Sequence, residues 1–276
     1  MSAVDRRGPA EPELVRIDGL GRCCEIEVQW LGSASARAPL VVFLHEGLGS
    51  RSMWRDFPAQ LCAAGGYRGL VYSRPGYGRS TPRGPDEHWR PDFMHRQAET
   101  ILPALFEALG VDPARTPPVL FGHSDGGSIA LLHAAAHPAR VAGLVVLAPH
   151  ILVEDITVAS IAATREAYLT TDLRHRLGRH HADPDSAFWG WNDIWLDPAF
   201  RAWDIRPALP SITCPVLAIQ GEGDQYGTMA QISGIREALP DAELLALEAC
   251  GHSPHRDQPD RVIAATTAFI GRLRGR

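Results

Sequence analysis

The chain has 276 residues, of which 45% are hydrophobic, and its formal net charge is −5 at pH 7. This length and apolar fraction are enough for one large globular core with room for an insertion, and the mildly acidic balance argues against a nucleic-acid-binding protein. All 27 basic residues are arginine, since the sequence contains no lysine. Schiff-base chemistry, a Ser/Lys dyad and a nucleotide-binding loop lysine are therefore excluded.

The first 13 residues are polar and include Pro9 and Pro12, which predicts a disordered N-terminal segment. They lack the apolar run of a signal peptide, and the chain contains no stretch of about 18 apolar residues that would predict a membrane span. The five cysteines are an odd number without the spacing of a metal site or a redox pair. The sequence therefore predicts a cytoplasmic protein that does not associate with membranes.

Strand and helix patterns alternate along most of the chain. Residues 14–18 and 24–31 have the pattern of two strands that pair as a hairpin. The apolar runs PLVVFLH, YRGLVYS and PVLFGHS then precede helices predicted over 53–64, 92–109 and 128–137. This alternation predicts a mostly parallel sheet with helices on both faces.

The alternation is interrupted between residues 150 and 210, where the sequence is helical or irregular and rich in tryptophan. It resumes with CPVLAIQG, a helix over 228–239, AELLALEA and a helix over 261–273. We therefore expect an α/β core formed by residues 14–149 and 211–276, with residues 150–210 inserted as a helical cap.

A Gly-x-Ser-x-Gly motif at residues 122–126 separates an apolar strand from an amphipathic helix. A turn this sharp strains the backbone of Ser124 and requires glycine at 122 and 126, where a side chain would collide with the adjoining strand or helix. The helix that follows presents free backbone N–H groups and its positive end to an oxyanion. Ser124 is therefore the candidate nucleophile.

A serine hydroxyl is a weak nucleophile, so acyl transfer needs a general base and an acid that orients this base. Asp224 and His252 each follow a predicted strand and therefore lie at the sheet edge that also carries Ser124. Two other residues compete for these roles: His255 for the base and Glu222 for the acid.

With these motifs the chain resembles the α/β-hydrolase superfamily, in the branch with a serine nucleophile and a helical cap. Besides the 122–126 motif, Leu44-His45-Glu46-Gly47 is similar to the family's oxyanion loop, residues 73–80 to the loop after the fourth strand, and residues 251–259 to the catalytic-histidine segment. The resemblance implies an eight-stranded, mostly parallel sheet.

The same resemblance implies roles for individual residues. Ser124 would be the nucleophile, His252 the base and Asp224 the orienting acid, with oxyanion N–H donors from Gly47 and Asp125. It implies a small-molecule substrate and neither a cofactor nor a metal ion.

One departure from the family pattern involves a carboxylate. Family members commonly have His-Gly where this chain has His45-Glu46. Glu46 either turns away into a hydrogen-bonded structural role or contacts substrate, and Asp125 is open to the same two interpretations. If both face the cleft they would favour an ammonium-bearing substrate. The Ser-Asp-Gly-Gly sequence is similar to that of valacyclovirase-like (biphenyl hydrolase-like) members, which act on amino-acid esters.

The leading hypothesis is a serine hydrolase that cleaves an ester, a lactone or a small amide. Carbon–carbon bond hydrolases and aminopeptidases of the same fold remain open, as does a non-catalytic small-ligand receptor on this scaffold. Trp189, Trp191 and Trp195 of the cap are candidates for lining the substrate pocket, although tryptophans in such a segment are mostly packing residues. A monomer and a homodimer are both compatible with the sequence.

Overall fold

The computed structural model describes residues 11–19, 21–84 and 86–273. Within them, eight strands form one sheet in the order β1-β2-β4-β3-β5-β6-β7-β8. The strands are β1 Glu13–Gly19, β2 Arg22–Gly32, β3 Leu40–Leu44, β4 Arg68–Tyr72, β5 Val119–His123, β6 Gly143–Leu147, β7 Val216–Gly221 and β8 Glu243–Leu247. Residues 1–10 of the N-terminal segment predicted to be disordered lie outside the described residues, and its last residue, Glu13, begins β1.

The sheet is mostly parallel. β1 and β2 form the antiparallel hairpin expected from the sequence, and β2 also runs antiparallel to β4. The remaining pairings, from β4 through β8, are parallel. The predicted fold class is therefore confirmed, and the carboxyl ends of β3, β5, β6, β7 and β8 share one edge of the sheet.

Helices pack on both faces of this sheet. They are α1 Phe57–Gly65, α2 Phe93–Arg96, α3 Leu102–Ala108, α4 Asp125–Ala136, α5 Asp155–Thr170, α6 Leu173–Leu177, α7 Pro184–Leu196, α8 Ala230–Ala238, α9 Pro254–Asp257 and α10 Pro259–Leu273. A π turn over Gln97–Ile101 joins α2 to α3. None of the helices in the described ranges is both long and apolar enough to cross a membrane.

The strand side chains alternate between two buried cores. Val42 of β3 and Leu120 of β5 belong to the core that includes side chains of α3 and α4, whereas Phe43 and Phe121 belong to the core that includes side chains of α1 and α10. Burial on both faces explains why these strands appear in the sequence as continuous apolar runs rather than as alternating ones. It also gives rigid support to the loops at the carboxyl edge.

The segment containing α5, α6 and α7 lies between β6 and β7. At its base, Leu152 and Asp204 form an isolated antiparallel bridge, so the chain enters and leaves this segment at one place. Between α6 and α7, His181 joins the segment to two loops of the sheet edge. Its Nδ1 accepts from the N–H of Gly78 at 3.0 Å, and its Nε2 donates to the carbonyl of Leu48 at 3.1 Å.

Candidate active site

Ser124 occupies a strained turn between β5 and α4. Its φ of 53° and ψ of −122° are unfavourable for a residue with a side chain. A Cβ added at Gly122 would lie 2.3 Å from the carbonyl oxygen of Gly126, and one added at Gly126 would lie 2.1 Å from that of Leu44. Both glycines are therefore required by close backbone contacts. The Ser124 N–H donates to the carbonyl of Leu147 at 2.9 Å, which fixes the turn against β6.

The three candidate residues from separate parts of the chain meet at this turn. The Oγ of Ser124 lies 3.0 Å from Nε2 of His252, and Nδ1 of His252 lies 2.8 and 2.9 Å from the two carboxylate oxygens of Asp224. Because an ionised carboxylate only accepts hydrogen bonds, Nδ1 carries the proton. Nε2 is then left with a lone pair that faces the serine hydroxyl.

The protein holds both titratable partners in the states that proton transfer needs. Asp224 also accepts from the N–H of Tyr226 at 2.8 Å and from the side-chain amide of Gln220 at 3.2 Å. Burial alone would raise the pKa of Asp224, but the hydrogen bond and charge of His252 outweigh burial and lower it. Burial lowers the pKa of His252, and Asp224 opposes this change without reversing it. At neutral pH the pair is therefore an anionic acid and a neutral base.

The two competing residues lie elsewhere. His255 is buried and packs against Trp54, Phe57 and His123, with ring centroids 4.8, 5.5 and 4.8 Å away. Neither of its ring nitrogens has a hydrogen-bond partner. Glu222 is exposed to solvent. The structure therefore brings His252 and Asp224 to Ser124, and not these alternatives.

Two backbone N–H groups beside Ser124 are available to an oxyanion. That of Asp125 begins α4 and so has no acceptor within the helix. Gly47 follows β3, and among the described residues neither its N–H nor that of Asp125 donates to another protein atom. Position 47 has no room for a side chain, because a Cβ there would lie 2.2 Å from Nε1 of Trp191.

The carboxylate of Glu46 has partners within the protein. Its Oε1 accepts from the guanidinium of Arg256 at 3.1 Å, and its Oε2 lies 3.5 Å from Nδ1 of His123. His123 in turn donates from Nε2 to the carbonyl of His252 at 2.7 Å. Burial would raise the pKa of Glu46, but the facing His123 and Arg256 hold it well below its usual range. Glu46 therefore links the oxyanion loop to the loop that carries the candidate base.

The carboxylate of Asp125 is in a different environment. Its Oδ1 accepts from Nε1 of Trp195 in α7 at 3.2 Å, whereas its Oδ2 lies 3.8 Å from the guanidinium of Arg74 and has no hydrogen bond. Burial raises the pKa of Asp125 to about 6, and Arg74 and Trp195 offset this only in part. Arg74 is fully buried and donates to the carbonyl of Glu46 at 2.8 Å, so it joins the loop after β4 to the oxyanion loop.

A cavity of about 150 Å³ opens above Ser124, between the sheet edge and the α5–α7 segment. Trp191 and Trp195 line it, together with Glu46, Gly47 and Asp125, as do the side chains of Leu48, Ile161 and Tyr226. Trp189 is not among the lining residues. It packs instead against Tyr168 and Phe188 within the segment, with ring centroids 5.6 and 5.0 Å away.

The imidazole of His150 lines the cavity but was not singled out from the sequence. His150 follows β6 by three residues, and its ring centroid lies 5.8 Å from that of His252. The sequence did contain a signal for this residue. Asp224 and His252 were recognised because each follows a strand that ends at the carboxyl edge of the sheet, and His150 does so as well.

The assembled groups can carry out acyl transfer. They provide a hydroxyl, a base in hydrogen-bond contact with it, an acid that orients the base, and two free N–H donors beside the hydroxyl. Within the described ranges, no three His, Cys, Asp or Glu side chains are grouped so that they could hold a metal ion.

Comparison with known proteins gives the family. The alpha/beta hydrolase family pattern matches residues 41–265. The chain is 26% identical over 263 residues to the mouse (Mus musculus) sn-1-specific diacylglycerol lipase ABHD11, covering 85% of this chain and 82% of the relative. It is 24% identical over 257 residues to a 2-hydroxy-6-oxo-6-phenylhexa-2,4-dienoate hydrolase of Burkholderia cepacia, covering 83% and 87%.

A solved structure has the same fold. Proline iminopeptidase from Mycobacterium smegmatis superposes with a TM-score of 0.74 at 18% identity, covering 95% of this chain and 98% of that one. The names of these proteins describe a lipase, a hydrolase and an iminopeptidase, so membership of the family does not determine which bond is cleaved. Because the family match covers most of the chain and includes the segments that carry Ser124, Asp224 and His252, the chain belongs to the α/β hydrolase family.

Proposed function

We propose that this protein is a serine hydrolase that cleaves a small ester, lactone or amide through an acyl-enzyme on Ser124. The observation that carries the proposal is the continuous hydrogen-bonded line from Asp224 through His252 to Ser124. The relatives, which include esterases and lipases, support hydrolysis as the class of reaction.

The chemistry follows from the protonation states. His252 takes the hydroxyl proton at Nε2 as Ser124 Oγ bonds to the carbonyl carbon of the substrate. The tetrahedral intermediate expels the leaving group, which receives that proton from His252. Water then gives a proton to the same nitrogen and attacks the acyl carbon, and the acid departs as Ser124 regains its proton. Asp224 remains ionised throughout and stabilises the imidazolium.

The negative charge of each tetrahedral intermediate would lie on the carbonyl oxygen. The N–H groups of Gly47 and Asp125 are free to donate to it, and the amino end of α4 adds its partial positive charge. Loss of one such donor typically costs about 2.7–4 kcal/mol of transition-state stabilisation. The partners of Glu46 draw its carboxylate away from this position, which removes the conflict between a carboxylate and an oxyanion.

The cavity favours a small, uncharged substrate. A volume of about 150 Å³ is below the range of about 300–1,000 Å³ that is typical of pockets for drug-sized ligands. An ammonium group is not favoured, because Glu46 is paired with Arg256, and Arg74 would repel a cation near Asp125. We therefore propose a short acyl ester rather than an amino-acid ester as the substrate class.

Two alternatives use the same residues. A carbon–carbon bond hydrolase is supported by the Burkholderia cepacia relative, but a phenyl-substituted dienoate is large for this cavity. An aminopeptidase would need a site for an amino group, which Asp125 beside Arg74 provides poorly. A cap role for residues 150–210, cytoplasmic location, and a monomer or homodimer remain predictions from the sequence.

Two experiments test the proposal. Hydrolysis of p-nitrophenyl acetate, butyrate and octanoate by the wild type should decline with chain length. It should fall by up to about 10⁶-fold in Ser124→Ala, because the nucleophile is lost. A fluorophosphonate should label the wild type at Ser124. Activity that survives the substitution would contradict the acyl-enzyme, and the absence of both turnover and labelling would favour a ligand receptor.

A further inference from the structure

His150 is a buried imidazole in the cavity that the reaction proposed above does not use. It follows β6 at the carboxyl edge of the sheet and is 3% exposed. Ser128 of α4 holds its backbone on both sides, since the Ser128 hydroxyl donates to the His150 carbonyl at 2.6 Å and accepts from the His150 N–H at 3.0 Å. Ser128 therefore fixes the backbone from which the ring of His150 extends.

The ring itself is not used by the protein. Nδ1 is buried without a hydrogen-bond partner, and within the described residues the imidazole forms no hydrogen bond to a protein atom. Its neighbours are the rings of Trp195, 4.9 Å away, and of His252, 5.8 Å away. A polar side chain that is buried without a partner is costly in a folded protein, so it calls for an explanation.

The imidazole is also uncharged at the pH at which His252 acts as a base. Burial and, to a smaller extent, the nearby His252 lower the pKa of His150 to about 3, and Asp224 opposes this only in part. A neutral imidazole donates from one ring nitrogen and accepts at the other. It therefore suits a neutral hydroxyl or carbonyl group better than a carboxylate or an ammonium.

The rest of the cavity wall limits where such a group lies. Leu48 and Ile161 are apolar, and Nε1 of Trp195 already donates to Asp125. The hydroxyl of Tyr226 is paired with Thr164, and Nε1 of Trp191 lies against Gly47 on the oxyanion side of the cavity. Ser124 and His252 are committed to the reaction. The first few atoms of the acyl chain beyond the scissile carbonyl would occupy the space beside His150. A polar atom on this part of the chain could therefore form a hydrogen bond with the imidazole.

We propose that His150 is a specificity residue that hydrogen-bonds a neutral oxygen substituent, a hydroxyl or keto group, on a short acyl chain. The proposal rests on the acyl-enzyme function of Ser124. An acyl group with this oxygen gives the imidazole a hydrogen-bond partner at Nε2, the ring nitrogen that is not fully enclosed, whereas a plain alkyl chain leaves this nitrogen unpaired. Sites built to bind a substrate hydroxyl discriminate strongly against the analogue without it for this reason.

The test compares methyl butyrate with methyl 2-hydroxybutyrate, methyl 3-hydroxybutyrate and methyl acetoacetate, with acid release followed in a pH-stat. For the wild type, kcat/KM for at least one oxygenated ester should exceed that for butyrate by about 10-fold or more. In His150→Phe, which keeps a flat ring without nitrogen, this ratio, which normalises for any change in butyrate hydrolysis, should fall by a similar factor. His150→Gln keeps a donor and an acceptor and should retain part of the preference.

The matched control is His255→Phe, because His255 is also buried without hydrogen-bond partners but does not line the cavity. It should leave the ratio unchanged. A wild-type ratio near one for all three oxygenated esters, or the same ratio in wild type and His150→Phe, would overturn the role of His150 while Ser124-dependent butyrate hydrolysis still stands. If the wild type hydrolyses none of the four esters, the role of His150 fails, and the acyl-enzyme proposal fails with it if a fluorophosphonate also leaves Ser124 unlabelled.

Discussion

Two regions face each other across Ser124, and they are built differently. On the side of the sheet edge, polar groups hold one another: Asp224 has three donors, and the carbonyl of Glu46 accepts from His45, Gly49 and Arg74. On the side of α5–α7, the cavity wall consists mainly of aromatic and aliphatic side chains. The sheet edge thus supplies the chemistry, and the helical segment supplies the shape of the space.

The two carboxylates beside Ser124 show what this difference does. Glu46 belongs to the sheet-edge side, where Arg256 and His123 face it and its pKa falls well below the usual range. Asp125 accepts a hydrogen bond from Trp195 on the helical side, and burial raises its pKa to about 6. Residues of similar chemistry therefore ionise at different pH because their neighbours differ.

The largest expected effect comes from breaking the sheet-edge side at Asp224. Asp224→Asn removes the charge that orients His252 and stabilises its imidazolium, so kcat for p-nitrophenyl butyrate should fall by about 10⁴-fold. Asp257→Asn is the matched control. Asp257 supports the same loop by accepting from the N–H of Gly251 at 2.8 Å, and it makes no hydrogen bond to the imidazole. An equal loss in both variants would contradict the assignment of Asp224.

A smaller effect is expected where the two regions meet, at Asp125. The rise in its pKa from 3.8 to about 6 corresponds to about 3 kcal/mol. Because the folded-state value is the higher one, this stability is fully present below pH 3.8 and is lost as the pH rises through 6. Between pH 4 and pH 7.5, the free energy of unfolding in urea should therefore fall by up to about 3 kcal/mol more in the wild type than in Asp125→Asn.

The exposed Asp193 of α7 provides the control for this comparison. Asp193→Asn should show a difference from the wild type that stays nearly constant over the same pH range. A constant difference for Asp125→Asn as well would mean that its carboxylate is solvated or fully compensated by Arg74 and Trp195.

The sequence was most informative about the sheet-edge side, for a physical reason. Ser124, Asp224 and His252 follow apolar strands that can be recognised one by one, and parallel strands place their ends at a common edge. Glu46 was recognised as a departure from the family, but its partner Arg256 is 210 residues away, so the direction of its carboxylate depends on tertiary packing.

The helical side was less predictable from the sequence, although the sequence does indicate which tryptophans of α7 share one face of the helix. Along a helix, residues 191 and 195 are about 40° apart, whereas 189 and 191 are about 160° apart. Trp191 and Trp195 therefore share the face of α7 that lines the cavity, and Trp189 points to another side, as observed. Which face meets the cavity is set by the packing of α7 on Asp125 and Gly47, and no local pattern carries that information.

The smallest expected effect on catalysis is that of replacing Glu46, the carboxylate on the sheet-edge side. Glu46→Gln removes the charge that pairs with Arg256 and faces His123, and so loosens the link to the His252 loop. We expect kcat to fall by about 10-fold, equivalent to ~1.4 kcal/mol. The charge of Glu46 also favours protonated His252. Without it the pKa of His252 falls further, and the ascending limb of the pH–rate profile should move to lower pH.

The shift of this limb separates an electrostatic and positioning role from simple damage to the fold. A loosened structure would lower kcat at every pH without moving the limb, whereas loss of a nearby negative charge moves it in one direction only. Glu222→Gln is the control, because Glu222 is exposed in the loop before Asp224 and should change neither kcat nor the limb. A limb that moves to higher pH in Glu46→Gln would mean that Glu46 does not act on His252 through its charge, and Asp224 would then be the carboxylate whose charge raises the pKa of His252.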